Sequence, residues 1–377
     1  MWLLGAFAGK SGYIIAILLV GLVLAVFLLP QIRGSLLKLR SETVTVQCTP
    51  GQGGNSGDAV QSFDIITVLG KDGIPSIDNP RFVGPVDADR QMESFERVLG
   101  VSINGDHRAY PLNMLSRHEI VNDTVGGKPV AVTWWSLCFT RIVYARNIGD
   151  TTHTFGVSGK LIMYALVMYD RQTDTLWSQF LSRGVRGPLS GTQLEIVPSL
   201  QTSWEQWLEL HPDTQLLDKG GRYNSDSYQG YYLSGSAGII GESNKDRRLP
   251  GKDVVLEGKA KAYPFQVIAN EPLINDSISG TQVLVVLDLP SETAAIFDRN
   301  LEGRSLGFDI LPDTGDGISL MKDRETGSTW QLLTGRAIDG ELAGMALTRL
   351  PSFYSFWFAW SDFHPKTELY EAGGSAG

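Results

Sequence analysis

Cysteine is almost absent from this chain: two residues, Cys48 and Cys138, in 377. That scarcity excludes a disulfide-dense scaffold, and the lack of any C-x-x-C excludes a cysteine-built structural zinc site. Basic residues are the minority, 32 Lys and Arg against 41 Asp and Glu, for a formal net charge of −9. No basic cluster interleaves with aromatics, so a nucleic-acid partner is excluded, because phosphate binding rests on grouped Lys and Arg. Other signatures are missing too. His118-Glu119 has no second histidine to complete H-E-x-x-H. The aspartates of 71–80 and 85–90 lack calcium-loop spacing and read as Pro/Gly turns. SGKL at 158–161 lacks the upstream glycine of a phosphate loop, and no G-x-S-x-G elbow occurs. No cofactor or metal motif is therefore found.

Charge of either sign is missing between Lys10 and Arg33. The core of that stretch, Tyr13 to Leu29, reads YIIAILLVGLVLAVFLL. As a helix, its roughly 22 uncharged residues span about 33 Å, the thickness of a bilayer's hydrocarbon. We expect one uncleaved transmembrane helix, with a cleaved signal peptide as the alternative, since no A-x-A pattern follows. Flanking positive charges are nearly balanced and lean by one towards a cytoplasmic C-terminal side. The Gly- and Ser-rich residues 50–62 read as a flexible tether. Apolar content of 42% describes a folded body, and 42 glycines with 17 prolines favour short strands and turns over long helices.

The body repeats itself at an offset of 153 residues without gaps. AYP at 109–111 returns at 262–264, Asn122-Asp123 as Asn275-Asp276, DRQTDTLW as DRETGSTW, and HPDT as HPKT. From Asp170 to Leu217, 17 of 48 positions are identical to those 153 residues on. We therefore expect a mainly β fold, with α+β as the alternative: two tandem duplicated β-rich units in a pseudo-twofold relation, with short helices. The divisions are 1–32 (anchor), 33–62 (tether), 63–217 (first unit), 218–250 (Tyr- and Gly-rich connector, read as ordered) and 251–377 (second unit). Helices are expected in YPLNMLSRHEIV and in WEQWLELHP, the latter stopped by Pro212.

Each unit serves as a control for the other. Residues kept in both read as scaffold. Asp170 and Asp323 cap a turn, Trp177 and Trp330 are core, and Gly187, Gly191, Gly340 and Gly344 take positive φ. His211 and His364 read as structural hydrogen-bonders. Residues present once are the candidates for chemistry. His118 corresponds to Glu271, Glu119 to Pro272 and Cys138 to Ser291, so Cys138, His118 and Glu119 form the candidate catalytic set. An imidazole near a thiol raises its thiolate fraction. Against this, a lone cysteine is more often a buried, inert packing residue. Cys48 could pair with Cys138 in an oxidising compartment or carry a lipid.

KDGIPSIDNPRF, AYPLNMLSRHEIVNDTVGGKPVAVTWWSLCFT, MYDRQTDTLWSQ, GPLSGTQLEIVPS and YSFWFAWSDFHPKTELY together resemble the prokaryotic family called domain of unknown function 3179, from about Asp72 to Tyr370. The family's activity is unassigned. The resemblance implies an anchored, extracytoplasmic body, against the literal charge count. It also implies a redox or thiol-dependent role, because some members carry selenocysteine and many a C-P-L-C-type motif. Cys138 matches the second cysteine of that motif. Trp135 and Ser136 replace its first cysteine and its proline, which rules out a two-thiol exchange within it.

Two readings follow. One is a membrane-anchored thiol-dependent oxidoreductase acting through Cys138 with His118 as base. The other is a non-catalytic envelope module binding a ligand or partner through aromatics such as Trp134 and Trp135. Substrate and partner are left open.

Overall fold

The computed structural model describes residues 41–47, 60–239, 241–242, 245–258, 261–312 and 317–372. The expected anchor, residues 33–40 and Cys48 lie outside these. Among the described residues no helix is long and apolar enough to cross a membrane.

The chain is mainly β, as its turn-rich composition requires, with helices of seven residues at most among those described. The first half builds three sheets. One orders the strands Ile196–Val197, Thr140–Ala145, Lys128–Trp135 and Ile120–Val125. A second places Arg97–Ile103 and Asp106–Pro111 between Leu200–Ser203 and Gln215–Leu217, with Phe82–Val83 at the edge. The third runs through Phe155–Ile162, Ala165–Asp170, Leu176–Ser178 and Arg183–Arg186. It is extended by a hairpin of Ser41–Gln47 and Val60–Thr67, the latter pairing with Phe155–Ile162. Residues 41–47 and 60–62, inside the stretch read as a flexible tether, are therefore strand: in the sequence SETVTVQ valine alternates with polar residues, a period that suits a sheet edge.

The second half repeats the neighbour order in all three sheets. Lys128–Trp135 and Thr281–Asp288 begin and end 153 residues apart, as do Thr140–Ala145 and Thr293–Asp298, and the helices Trp204–Leu210 and Trp357–Phe363. The halves pack reciprocally. Leu200–Ser203 lies against Thr293–Asp298, where the Thr293 and Thr202 hydroxyls meet at 2.8 Å. Phe353–Phe356 lies against Thr140–Ala145, and the Phe356 amide donates to the Cys138 carbonyl at 2.9 Å.

Residues kept at the offset perform the same local task twice. The Asp170 carboxylate accepts from the Thr173 amide at 2.6 Å and from the Trp177 indole at 2.9 Å. Asp323 does the same with Thr326 and Trp330 at 2.6 and 2.9 Å. Burial pushes both carboxyls up, but the donors win and hold them below the ordinary value. Asn122 clamps the Phe155 backbone through both amide atoms, and Asn275 clamps Phe308. Tyr110 donates to Asp123 at 2.6 Å and Tyr263 to Asp276 at 2.7 Å. The four glycines expected at positive φ have φ between 89° and 111°. His211 differs from its expected role: it packs as a ring, 4.2 Å from Trp207 and 4.0 Å from His107 between centroids.

Replacing Asp170 or Asp323 by Ala strips a buried indole N–H and a turn amide of their acceptor. Each substitution is expected to lower unfolding free energy by about 2–4 kcal/mol in denaturant titrations. A loss below about 0.5 kcal/mol would show that these turns do not depend on the carboxylate.

Candidate functional site

The helix Leu112–His118 ends at Glu119, whose backbone turns left-handed at φ 60° before the strand Ile120–Val125. Glycine or asparagine is the usual residue for that turn; for other side chains the conformation costs on the order of 1 kcal/mol. Glu119 is tied on both sides, its amide donating to the Leu115 carbonyl at 2.7 Å and its carbonyl accepting from the Trp134 amide at 2.9 Å. Position 272, 153 residues on, makes the same carbonyl contact to Leu287, yet carries proline. A proline has no carboxyl and cannot take positive φ, so the turn at 119 is specific to the first half.

That turn delivers the carboxyl into an apolar pocket of about 160 Å³, walled by Leu69, Ile74, Trp135, Leu161, Leu166 and Tyr228, with Lys160 alongside. Glu119 is 3% exposed, and its Oε2 has no hydrogen-bond partner. Burial pushes its pKa up to about 8, and among the described residues no cation pairs with it. Lys160 donates instead to Thr67 at 2.6 Å. At neutral pH the group is a carboxylic acid, able to donate one hydrogen bond and accept another.

Cys138 lies elsewhere. Its thiol is 0% exposed in the core and free, and it points to the Tyr164 carbonyl at 3.5 Å. Burial raises its pKa well above the ordinary thiol value; the nearby Glu257 adds to this and Trp135 opposes it. The His118 ring is engaged at both nitrogens, Nδ1 with the Pro75 carbonyl at 2.8 Å and Nε2 with the Tyr223 hydroxyl at 2.9 Å. Among the described residues no hydrogen bond joins this ring to the thiol. Trp134 is buried with its indole on Ser116 at 3.1 Å, so it is core rather than a docking aromatic. Trp135 does face a cavity, and its indole donates to Tyr164 at 2.6 Å.

A family model described as "Protein of unknown function (DUF3179)" matches residues 71–367. The chain belongs to that family. No curated protein and no solved structure matches it. The DUF3179 match spans both halves and so includes Glu119, Cys138 and the whole connector. Among the described residues of this DUF3179 chain, no group of three or more His, Cys, Asp or Glu is placed to hold a metal ion.

Sequence reasoning singled out Glu119 only as a companion of His118. It did not find Tyr228 and Ile239, which the connector contributes to the pocket. The signal available was the exchange of glutamate for proline at the 153-residue offset, together with the four tyrosines of the connector. All four of those tyrosines pack against buried core residues, and Tyr231 donates to the Leu137 carbonyl at 2.8 Å.

Two measurements check these assignments. Peptide-mapped alkylation at neutral pH is expected to modify Cys138 only after denaturation, and modification of the native protein would contradict its burial. Glu119 binds its proton more tightly folded than unfolded, so its contribution to stability is full below about pH 4.5 and lost as pH rises through about 8. Glu119→Gln should therefore gain stability relative to the parent between those values, by on the order of a few kcal/mol at the upper end. A difference independent of pH would place the pKa elsewhere.

Proposed function

We propose that this chain is a membrane-tethered, non-catalytic module that binds a small, mostly apolar ligand in the first half. In this reading Glu119 is the polar recognition group. The observation that carries it is a buried, unpaired carboxyl held in a strained turn at the wall of an apolar cavity. Ligand sites are typically apolar with few convergent polar groups, and an orphaned buried acceptor is expensive unless something pairs with it. A volume of about 160 Å³ suits a single aromatic ring or a short acyl chain. The preferred head group both donates and accepts, as a primary amide or a carboxylic acid does opposite a neutral carboxyl.

The two halves are read as a gene duplication, of which the second retains the scaffold without the carboxyl. The segment Tyr13–Leu29 is read as the anchor, with the body on the extracytoplasmic side. Thiol chemistry at Cys138 has less support, because its sulfur is buried and the His118 nitrogens have other partners.

Ligand-observed NMR with benzamide and benzene on the full chain tests the pocket. Benzamide is expected to bind at least tenfold more tightly than benzene, a preference of about 1.4 kcal/mol that Glu119→Leu should abolish. Leu161→Trp should block both ligands. Equal binding of benzamide to the parent and to the Glu119→Leu variant would defeat the assignment.

A further inference from the structure

We propose that a second cleft, between the two halves and independent of the Glu119 pocket, binds the carboxylate group of a small organic monoanion. The cleft has a volume of about 230 Å³; Ser102, Ser199, Trp207 and His211 line it from the first half, and Thr334 and Arg349 from the second. Arg349 is its one charged group. The guanidinium donates to the Leu333 carbonyl and lies 5.3 Å from the Phe297 ring centroid. Among the described residues it has no carboxylate partner. A guanidinium offers five donors in a planar fork matched to a carboxylate, and a partly buried cation without a counter-ion is costly.

His211 fixes the charge of the site. Burial, then the neighbouring His107 and Arg349, lower its pKa to about 4, with exposed Asp213 opposing. The imidazole is neutral at pH 7, and the cleft presents a single positive charge. That balance suits a monoanion better than a dianion.

The 153-residue offset supplies a control. The counterpart of His211 is His364, which lies on Trp360 with centroids 3.9 Å apart. There the surrounding space is filled by rings. Phe180 stacks on Phe363 at 4.4 Å and lies 6.1 Å from His364, and Phe353 lies 6.4 Å from Trp360. The matching positions around His211 are Leu333, Leu200 and Leu210, and Arg349 matches Ile196. The space at His364 is plugged by three phenylalanines, Phe180 from the first half and Phe353 and Phe363 from the second. At His211 leucines stand in their places, Leu200 and Leu210 line the cavity, and a cation faces it.

Fluorine NMR of trifluoroacetate with the full chain in detergent tests this, with trifluoroacetamide as the neutral control. The trifluoroacetate resonance is expected to broaden saturably and that of the amide not. Arg349→Met should weaken binding at least tenfold. Leu210→Phe should do the same while keeping the guanidinium, by restoring the plug seen at Phe363. Glu119→Leu should change nothing, which separates this cleft from the first pocket. Absence of saturable broadening, equal binding of the amide, or retention of affinity in either the Arg349→Met or the Leu210→Phe variant would overturn the proposal.

Discussion

The architecture depends on buried carboxylates that are fully paired. Asp170 and Asp323 each gather an indole N–H, a turn amide and a threonine hydroxyl, and so tie a strand end to the strand that follows. A buried acceptor of this kind tolerates burial because its donors replace water. The Tyr–Asp and Asn–backbone pairs extend the same logic to the hairpins on either side. In a chain of short strands with few long helices, these contacts set where each turn falls.

Against that background two buried carboxyls lack such donors: Glu257, with neither oxygen hydrogen-bonded, and Glu119. Glu119 is as buried as the aspartates, and burial alone sets its protonation. The two kinds of carboxyl respond to low dielectric in opposite ways. One is ionised and structural; the other is neutral and available. The backbone at 119 sits in a region that a glutamate rarely occupies, while the equivalent position in the second half uses a rigid proline to make the same carbonyl contact.

Much of the scaffold was legible in the sequence. DRQTDTLW and DRETGSTW announce turns because aspartate, threonine and tryptophan can satisfy one another locally, and their gapless repetition fixed the register of the second half. The helices at 112–118 and 204–210 followed from apolar spacing and from Pro212. The sites were less legible, because they are made by residues far apart in sequence. In a linear reading Cys138 stood open between a reactive thiol and a buried packing residue. Its burial comes from Tyr164 and from the Phe356 strand of the other half, neither of which a local pattern reveals. The Glu119 pocket needed walls from residues 68–74, 157–166 and the connector. The tether reading failed at 41–47 because the Gly- and Ser-rich signal covers only 50–62, while the alternating SETVTVQ pairs with the strand at 60–67.

The connector between the halves is also a wall of the Glu119 cavity. Tyr228 and Ile239 line it, Tyr223 is bonded to His118, the residue before Glu119, and Tyr231 is bonded to Leu137, which lines it too. Occupancy of the cavity and the path of this segment therefore share one free energy. By reciprocity, whatever draws the halves into a new spacing must alter how well the cavity is filled, and a guest that fits only the present wall resists that movement by the same amount.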